Sequence, residues 1–324
     1  MLISSKDKIF VAGHNGMLGK SLVLKLKEEG FKNLITANKS ELNLTDYTKT
    51  NNFMEKESPD IVVVCAAKVG GIKANIDYPA DYLLENIKIQ NSIIESSFRN
   101  KVRRLLFIGS SCIYPKFAAQ PIVEEALLTS SLEPTLEPYA LAKISGLKMC
   151  EALRKQYDFD AISLMPTNLY GPGDNFNANN SHVLPSLIRK FHFAKEKNIP
   201  YLTCWGSGNV LREFLFVDDL SDAILVALKE WDPSLKDAPK LDDNSMLTYL
   251  NVGVGKDISI KDLANLIANV VGYKGAIKWD LSKKDGTPRK LLDISRIEKL
   301  GWHQKTKLKD GLKITYEYFL RSLS

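Results

Sequence analysis

Apolar and polar positions along this chain follow two alternating periods. "KIFVAG" (8–13), "NLITAN" (33–38), "DIVVVCAA" (60–67), "RRLLFIGS" (103–110) and "DAISLMP" (160–166) are short apolar runs rich in β-branched residues, and each reads as a buried strand. Between them, "MLGKSLVLKLKEEG" (17–30), "TKTNNFMEKES" (48–58), "PADYLLENIKIQNSIIESSFRN" (79–100) and "PYALAKISGLKMCEALRKQY" (138–157) carry apolar residues at helical spacing. Gly30 is placed to cap the first of these helices and Pro138 to open the last. Apolar strands alternating with helices predict an α/β fold, a doubly wound parallel sheet covered on both faces.

The pattern changes after residue 170. "YGPGDNFNANNSH" (170–182) is a long irregular loop, and such loops in compact domains are usually functional or disordered. Helices are predicted at 183–197, 217–230, 259–271 and 308–322, with short strands at 201–205, 212–216 and 249–253 and an exposed polar loop at 232–245. A chain of 324 residues accommodates about two domains. The expected division is a cofactor domain at 1–170 and a smaller C-terminal α/β substrate lobe at 171–324. Segments near 212–230 and 249–253 are expected to return to the first domain.

Composition narrows the class. Hydrophobic residues make up 44% of the chain and charged residues 25%, enough for a large core without disulfides or metals. No apolar run reaches membrane-spanning length, and "MLISSKDKIFVAGHNG" lacks the layout of a secretory signal, so a cytoplasmic protein without membrane partners is expected. Cys65, Cys112, Cys150 and Cys204 are widely spaced without a CxxC, which predicts free thiols. His14, His182, His192 and His303 are equally scattered, which predicts no metal site. The net charge of +6 is dispersed, with no basic tract for nucleic acid, and suits anionic small ligands such as nucleotide phosphates.

"VAGHNGMLG" (11–19) carries chemistry. Gly13, Gly16 and Gly19 form GxxGxxG between the first strand and the first helix. Glycines there permit a tight turn and a close approach of backbone N–H groups to a pyrophosphate, which then faces a helix N-terminus. His14, Asn15, Met17 and Leu18 complete this candidate cofactor loop. After the second strand, NAD-binding proteins place an acid for the ribose hydroxyls. This chain has "NKSE" (38–41), and Lys39 would attract the 2′-phosphate of NADP(H) instead.

In "YALAK", Tyr139 and Lys143 fall four residues apart on one helix face. A phenol ordinarily titrates near 10, and a nearby ammonium would lower that value. The pair is therefore expected to form a tuned proton donor, with Ser110 at a neighbouring strand end bonding the same substrate oxygen. With the glycine loop, this set resembles the extended short-chain dehydrogenase/reductase family, a Rossmann-fold family whose catalytic Ser, Tyr and Lys correspond to Ser110, Tyr139 and Lys143.

The resemblance extends along nearly the whole chain. "AAKVGGI" (66–72), "GSSCIYP" (109–115), "PYALAK" (138–143), "MPTNLYGPGDNF" (165–176), "NSHV" (180–183), "WGSG" (205–208), "REFLFVDD" (212–219) and "DGTPRKLLD" (285–293) are similar to the branch that converts GDP-4-keto-6-deoxy-D-mannose to GDP-L-fucose. That resemblance implies an NADPH-dependent 3,5-epimerase and 4-reductase, working as a homodimer through the 79–100 and 138–157 helices. It makes Cys112 and His182 the acid/base pair for epimerisation. It places Ile108, Gly109, Ser110 and Ser111 beside the nicotinamide, with Pro166, Thr167, Asn168, Leu169, Lys143 and His182 as further cofactor contacts. It assigns Trp205, Arg212 and Asp285 to the GDP-sugar, together with Lys190, which stands where many relatives carry Arg. Lys39 likewise replaces a commoner Arg.

The implied chemistry explains the residue types. A 4-keto group acidifies the protons on C3 and C5, and inverting each centre needs a base on one face and an acid on the other. A thiol and an imidazole, near 8.5 and 6.5 when unperturbed, bracket neutral pH. Two other readings fit the same residues. One is a 4-reductase of another GDP-4-keto-6-deoxy sugar such as a heptose, with or without epimerisation. The other is a non-catalytic nucleotide-sugar-binding protein, which the intact Ser110, Tyr139 and Lys143 disfavour.

Overall fold

The computed structural model describes residues 2–178, 180–283 and 285–323. The first half runs β1 (Ile9–Ala12), α1 (Met17–Glu28), β2 (Leu34–Ile35), α2 (Tyr47–Glu57), β3 (Ile61–Val64), α3 (Ile72–Asp77), α4 (Pro79–Arg99), β4 (Arg104–Ile108), α5 (Glu137–Tyr157), β5 (Ala161–Pro166) and β6 (Asn168–Tyr170). The second half adds α6 (Val183–Glu196), β7 (Tyr201–Trp205), β8 (Leu211–Arg212), β9 (Phe214–Phe216), α7 (Val217–Glu230), β10 (Tyr249–Val252) and β11 (Ile258–Ser259). It closes with α8 (Ile260–Val271), β12 (Ala276–Asp280), β13 (Arg289–Lys290), α9 (Ser295–Glu298) and α10 (Leu308–Arg321).

Six strands form the main sheet in the order β2-β1-β3-β4-β5-β10, every pair parallel. All residues of β1, β3, β4, β5 and β10 are buried, as expected where helices cover both faces. Helices α2, α4 and α5 pack together, and α1 packs on α7. Ser21 donates to Asp218 at 2.6 Å, and Lys25 pairs with Asp222 at 2.7 Å, fastening α1 to α7. This is the Rossmann-like architecture that the alternating pattern predicts.

A second hydrophobic core gathers Leu187 and Phe191 of α6, Leu263 and Ile267 of α8, and Phe319 of α10. Beside it β7 and β12 pair in parallel. The chain does not stay in this second core. Leu220 and Ile224 of α7 and Leu250 of β10 belong to the first one. Among the described residues no helix is long and apolar enough to cross a membrane.

Local chemistry sets the helix ends that matter for the site. Gly16 is the N-cap of α1 and offers no side-chain acceptor, so the first N–H groups of the helix stay available. Pro138 sits in the first turn of α5, where its missing N–H is harmless. The main-sheet order reverses at β1, with β2 on one side and β3 on the other. A ligand crevice is expected at the carboxyl ends of the strands flanking such a reversal.

Candidate active site

The glycine loop lies at that reversal. Gly13 has φ of +89°, and a Cβ there would stand 2.7 Å from the Ala66 backbone at the end of β3. A Cβ on Gly19 would come within 2.2 Å of the Gly13 carbonyl oxygen. Both positions therefore require glycine, and the turn closes with the Gly16 N–H donating to the Gly13 carbonyl at 3.0 Å. His14 and Met17 are half-buried and Leu18 is buried, while Asn15 is exposed. Asn15 Nδ2 donates to Asn38 Oδ1 at 2.6 Å, tying the loop to the segment after β2. Lys39, the next residue, is exposed at this corner. The cradle and the free helix N-terminus fit a dinucleotide diphosphate.

The candidate catalytic residues come from the end of β4 and the start of α5. After Ile108 and Gly109, both buried, residues Ser111–Ile113 form a single 3-10 turn. Ser110 caps it: its Oγ accepts from the Cys112 N–H at 3.2 Å. One turn thus holds Ser110 and Cys112 in fixed relation. Lys143 Nζ donates to the Ile108 carbonyl at 2.8 Å and lies 4.8 Å from the centre of the Phe107 ring. Burial pushes this ammonium down to about 8.

Tyr139 differs from the tuned donor expected from its spacing to Lys143. Burial raises the phenol well above its ordinary value; the neighbouring Cys112 and Tyr82 add to this and a hydrogen bond with Ser110 opposes it. Lys143 is directed to the Ile108 carbonyl, and Tyr139 is held by Ser110 rather than by the ammonium. Tyr139 therefore stays protonated near neutral pH, ready to donate.

His182 is the N-cap residue of α6 and makes no capping bond, which leaves its ring free. The residue is exposed, yet the surrounding protein lowers its imidazole below the usual value. The loop before it is braced by α3, where the Gly71 N–H donates to the Asn180 carbonyl at 3.2 Å. Pro166, Thr167, Asn168 and Leu169 continue from β5 into β6, and Thr167 Oγ1 and Asn168 Nδ2 both donate to the Glu213 carbonyl, at 3.2 and 2.9 Å.

The second lobe brings cations and an aromatic surface. Arg212 on β8 lies in register beside Lys290 on β13. Burial lowers the Arg212 guanidinium, and the nearby Cys112, Glu133 and Asp285 act against that shift. Trp205 is 59% exposed, with the ammonium groups of Lys190 and Lys283 each 5.6 Å from its ring centre. Asp285 is occupied by the turn that carries Trp205: it accepts from the Ser207 N–H at 3.1 Å and the Ser207 hydroxyl at 2.6 Å.

Two residues of the site were not singled out by sequence reasoning. Glu213 splits the strand expected at 212–216 into β8 and β9. Its buried carboxylate accepts from the Val254 and Gly255 N–H groups, the latter at 2.7 Å, and from the Leu292 N–H at 3.2 Å. A charged residue inside the apolar run "REFLF" was the available signal. Lys290 reaches Cys112 Sγ at 3.7 Å. Its signal was weaker, one cation in the polar "DGTPRKLLD".

A parallel sheet with a phosphate cradle at its reversal, and a Ser–Tyr–Lys set at the adjoining strand end, defines a dinucleotide-dependent oxidoreductase. The chain belongs to the NAD dependent epimerase/dehydratase family, which matches residues 9–237. It is similar to GDP-L-fucose synthase 1 of Arabidopsis thaliana, 51% identical over 316 residues that cover 98% of this chain and 94% of that protein. GDP-L-fucose synthase of Escherichia coli (strain K12) is 48% identical over 319 residues, 98% of each chain. Among solved structures, MlghC, the GDP-mannoheptose C4 reductase from Campylobacter jejuni with NADP bound, matches with a TM-score of 0.86 at 38% identity, covering 98% of this chain and 99% of that one.

Proposed function

We propose that this chain converts GDP-4-keto-6-deoxy-D-mannose to GDP-L-fucose by epimerisation at C3 and C5 and NADPH-dependent reduction at C4. The observation that carries this reading is the shared turn of Ser110 and Cys112, with Tyr139 against both. A reductase alone needs Ser110, Tyr139 and Lys143; the thiol beside them supplies a second proton-transfer group.

In this reading the loop from Gly13 to Gly19, with Lys39, the Ile108–Ser111 segment, Lys143 and the Pro166–Leu169 segment, holds NADP(H). Bound there, the cofactor supplies the hydride for C4. The chain's own residues do the rest. Ser110 and Tyr139 hydrogen-bond the 4-keto oxygen, which stabilises the negative charge that develops on it when a proton leaves C3 or C5. Cys112 and His182 exchange those protons on opposite faces of the sugar. Tyr139 donates its proton to the oxygen on C4, and the hydrogen bond with Ser110 favours the phenolate left behind. Trp205 offers a face for the guanine base, and Lys190 and Arg212 offer charge for the diphosphate.

The division into a cofactor domain (1–170) and a substrate lobe (171–324), homodimerisation through α4 and α5, and a cytoplasmic location belong to the same proposal. Leu84 on α4 and Leu141 on α5, both exposed, support the helix-pair interface. The four free cysteines suit a reducing compartment. A heptose reductase of 38% identity motivates the alternative sugar, while relatives near 50% identity favour the hexose. The test is incubation with GDP-4-keto-6-deoxy-D-mannose and NADPH. Stoichiometric NADPH oxidation with formation of GDP-L-fucose supports the proposal; no oxidation with this sugar rejects it.

A further inference from the structure

Glu213 occupies the join between β8 and β9, immediately after Arg212. It is fully buried, and its carboxylate is met by the backbone N–H groups of Val254, Gly255 and Leu292. Burial raises this carboxyl above its ordinary value, and the three backbone bonds oppose the rise. Arg212 lies on the middle strand of a three-stranded sheet, with β11 on one side and β13 on the other. Its register partners are Ile258 of β11 and Lys290 of β13. Val254 and Gly255 come just before β11, and Leu292 comes just after β13. One carboxylate therefore clamps both strands that flank Arg212. The fit is close: a Cβ on Gly253 would collide with this carboxylate, so the backbone can pass it there only as glycine.

The carbonyl of the same residue fastens a different segment. It accepts from Thr167 Oγ1 and Asn168 Nδ2, between β5 and β6. The next residue, Phe214, pairs in parallel with Asn168 where β9 meets β6. The Thr167 N–H donates to the Val252 carbonyl at 3.0 Å, at the end of β10 and one residue before Gly253. Glu213 thus joins the strand of Arg212 to the Thr167–Asn168 segment through two separate acceptors. Where two ligands must meet in a reactive geometry, a misplacement of about 1 Å between their supports is costly.

We propose that Glu213 is a positioning residue that sets the reach of Arg212 to the substrate diphosphate, relative to the cofactor segment at Thr167 and Asn168. The proposal rests on the ligands assigned to this site above. Glu213 touches neither ligand. Its carboxylate holds the diphosphate side and its main-chain carbonyl holds the cofactor side. A change confined to the side chain therefore loosens the first and leaves the second in place.

The test is calorimetric titration of the full chain with GDP and, separately, with NADPH, which needs no turnover. Glu213→Gln keeps the size of the side chain and replaces one acceptor by a donor. Whichever way the amide turns, its NH2 faces a backbone N–H, and one strand flanking Arg212 is released. The Kd for GDP should rise on the order of tenfold, while the Kd for NADPH stays within about two-fold. Gly253→Ala presses a methyl on the carboxylate from the other side and should give the same selective loss, which keeps the test decisive if the Gln chain does not fold. A GDP affinity within about two-fold of the wild type in a folded variant overturns the proposal. Equal weakening of GDP and NADPH assigns the effect to general loosening and also overturns it. Failure of the assigned reaction appears separately, as absent NADPH oxidation by a wild type that binds both ligands.

Discussion

Ser110 Oγ accepts a hydrogen bond from the Cys112 backbone N–H at 3.2 Å, so one short turn carries both the group proposed for the reduction and the group proposed for epimerisation. The two activities should therefore separate by substitution at neighbouring positions. Cys112→Ala should lower solvent-deuterium incorporation at C3 and C5 by at least about 10²-fold while NADPH oxidation falls less than about tenfold. Parallel loss of both rates, measured by NMR and absorbance, would remove Cys112 from its assigned role.

Tyr139 is raised by burial and bonded to Ser110, and in the proposed reaction it donates the proton to the C4 oxygen. Tyr139→Phe keeps the ring and removes the proton. Its kcat for NADPH oxidation should drop by about 10²- to 10³-fold with NADPH binding retained. Stopped-flow absorbance and a binding titration check the two parts.

Lys143 should work against folding. Its ammonium sits at about 8 in the folded chain, below the ordinary lysine value of 10.5. The unfolded chain therefore binds more protons between those values, and stability gains as pH rises from about 8 to 10.5. Below pH 8 the full penalty of the buried charge is present. Lys143→Met should be inactive yet more resistant to urea at pH 7, by up to about 3 kcal/mol, with the gain shrinking towards pH 10. A loss of stability at pH 7 would contradict this.

Lys39 is exposed beside the Asn15–Asn38 bond that ties the glycine loop to the segment after β2. Lys39→Glu replaces attraction for the 2′-phosphate with repulsion. The KM for NADPH should rise about tenfold or more, and the preference over NADH should narrow or invert. Steady-state kinetics with both cofactors decides it.

Asp285 braces the Trp205 turn through Ser207. Asp285→Ala should raise the KM for the GDP-sugar about tenfold with kcat within about two-fold, because it loosens the base platform without touching the reacting carbons. A selective fall in kcat would place Asp285 nearer the chemistry.

The central strands were legible because strands buried on both faces become continuous apolar runs. The edge was not: of the run at 33–38, only Leu34 and Ile35 pair, since one side of β2 has no neighbour. Helix α3 was missed because "GGIKANID" is too short to show a period. Strands β12 and β13 lie in polar sequence and exist through long-range pairing with β7 and β8. The glycine loop and the Tyr139–Lys143 spacing are local and could be read directly. The contact between Lys290 and Cys112 spans 178 positions and depends on the second lobe folding back over the sheet. The direction of the Tyr139 shift was equally hidden, because burial and the turn of Lys143 towards Ile108 are tertiary facts.

The most direct measurement runs the reaction in D2O with GDP-4-keto-6-deoxy-D-mannose and NADPH and reads the product by NMR. One site doing both chemistries predicts GDP-L-fucose with deuterium at C3 and at C5 and unlabelled hydride at C4. A reduced product that carries no solvent deuterium at either carbon would contradict it and leave a simple 4-reductase.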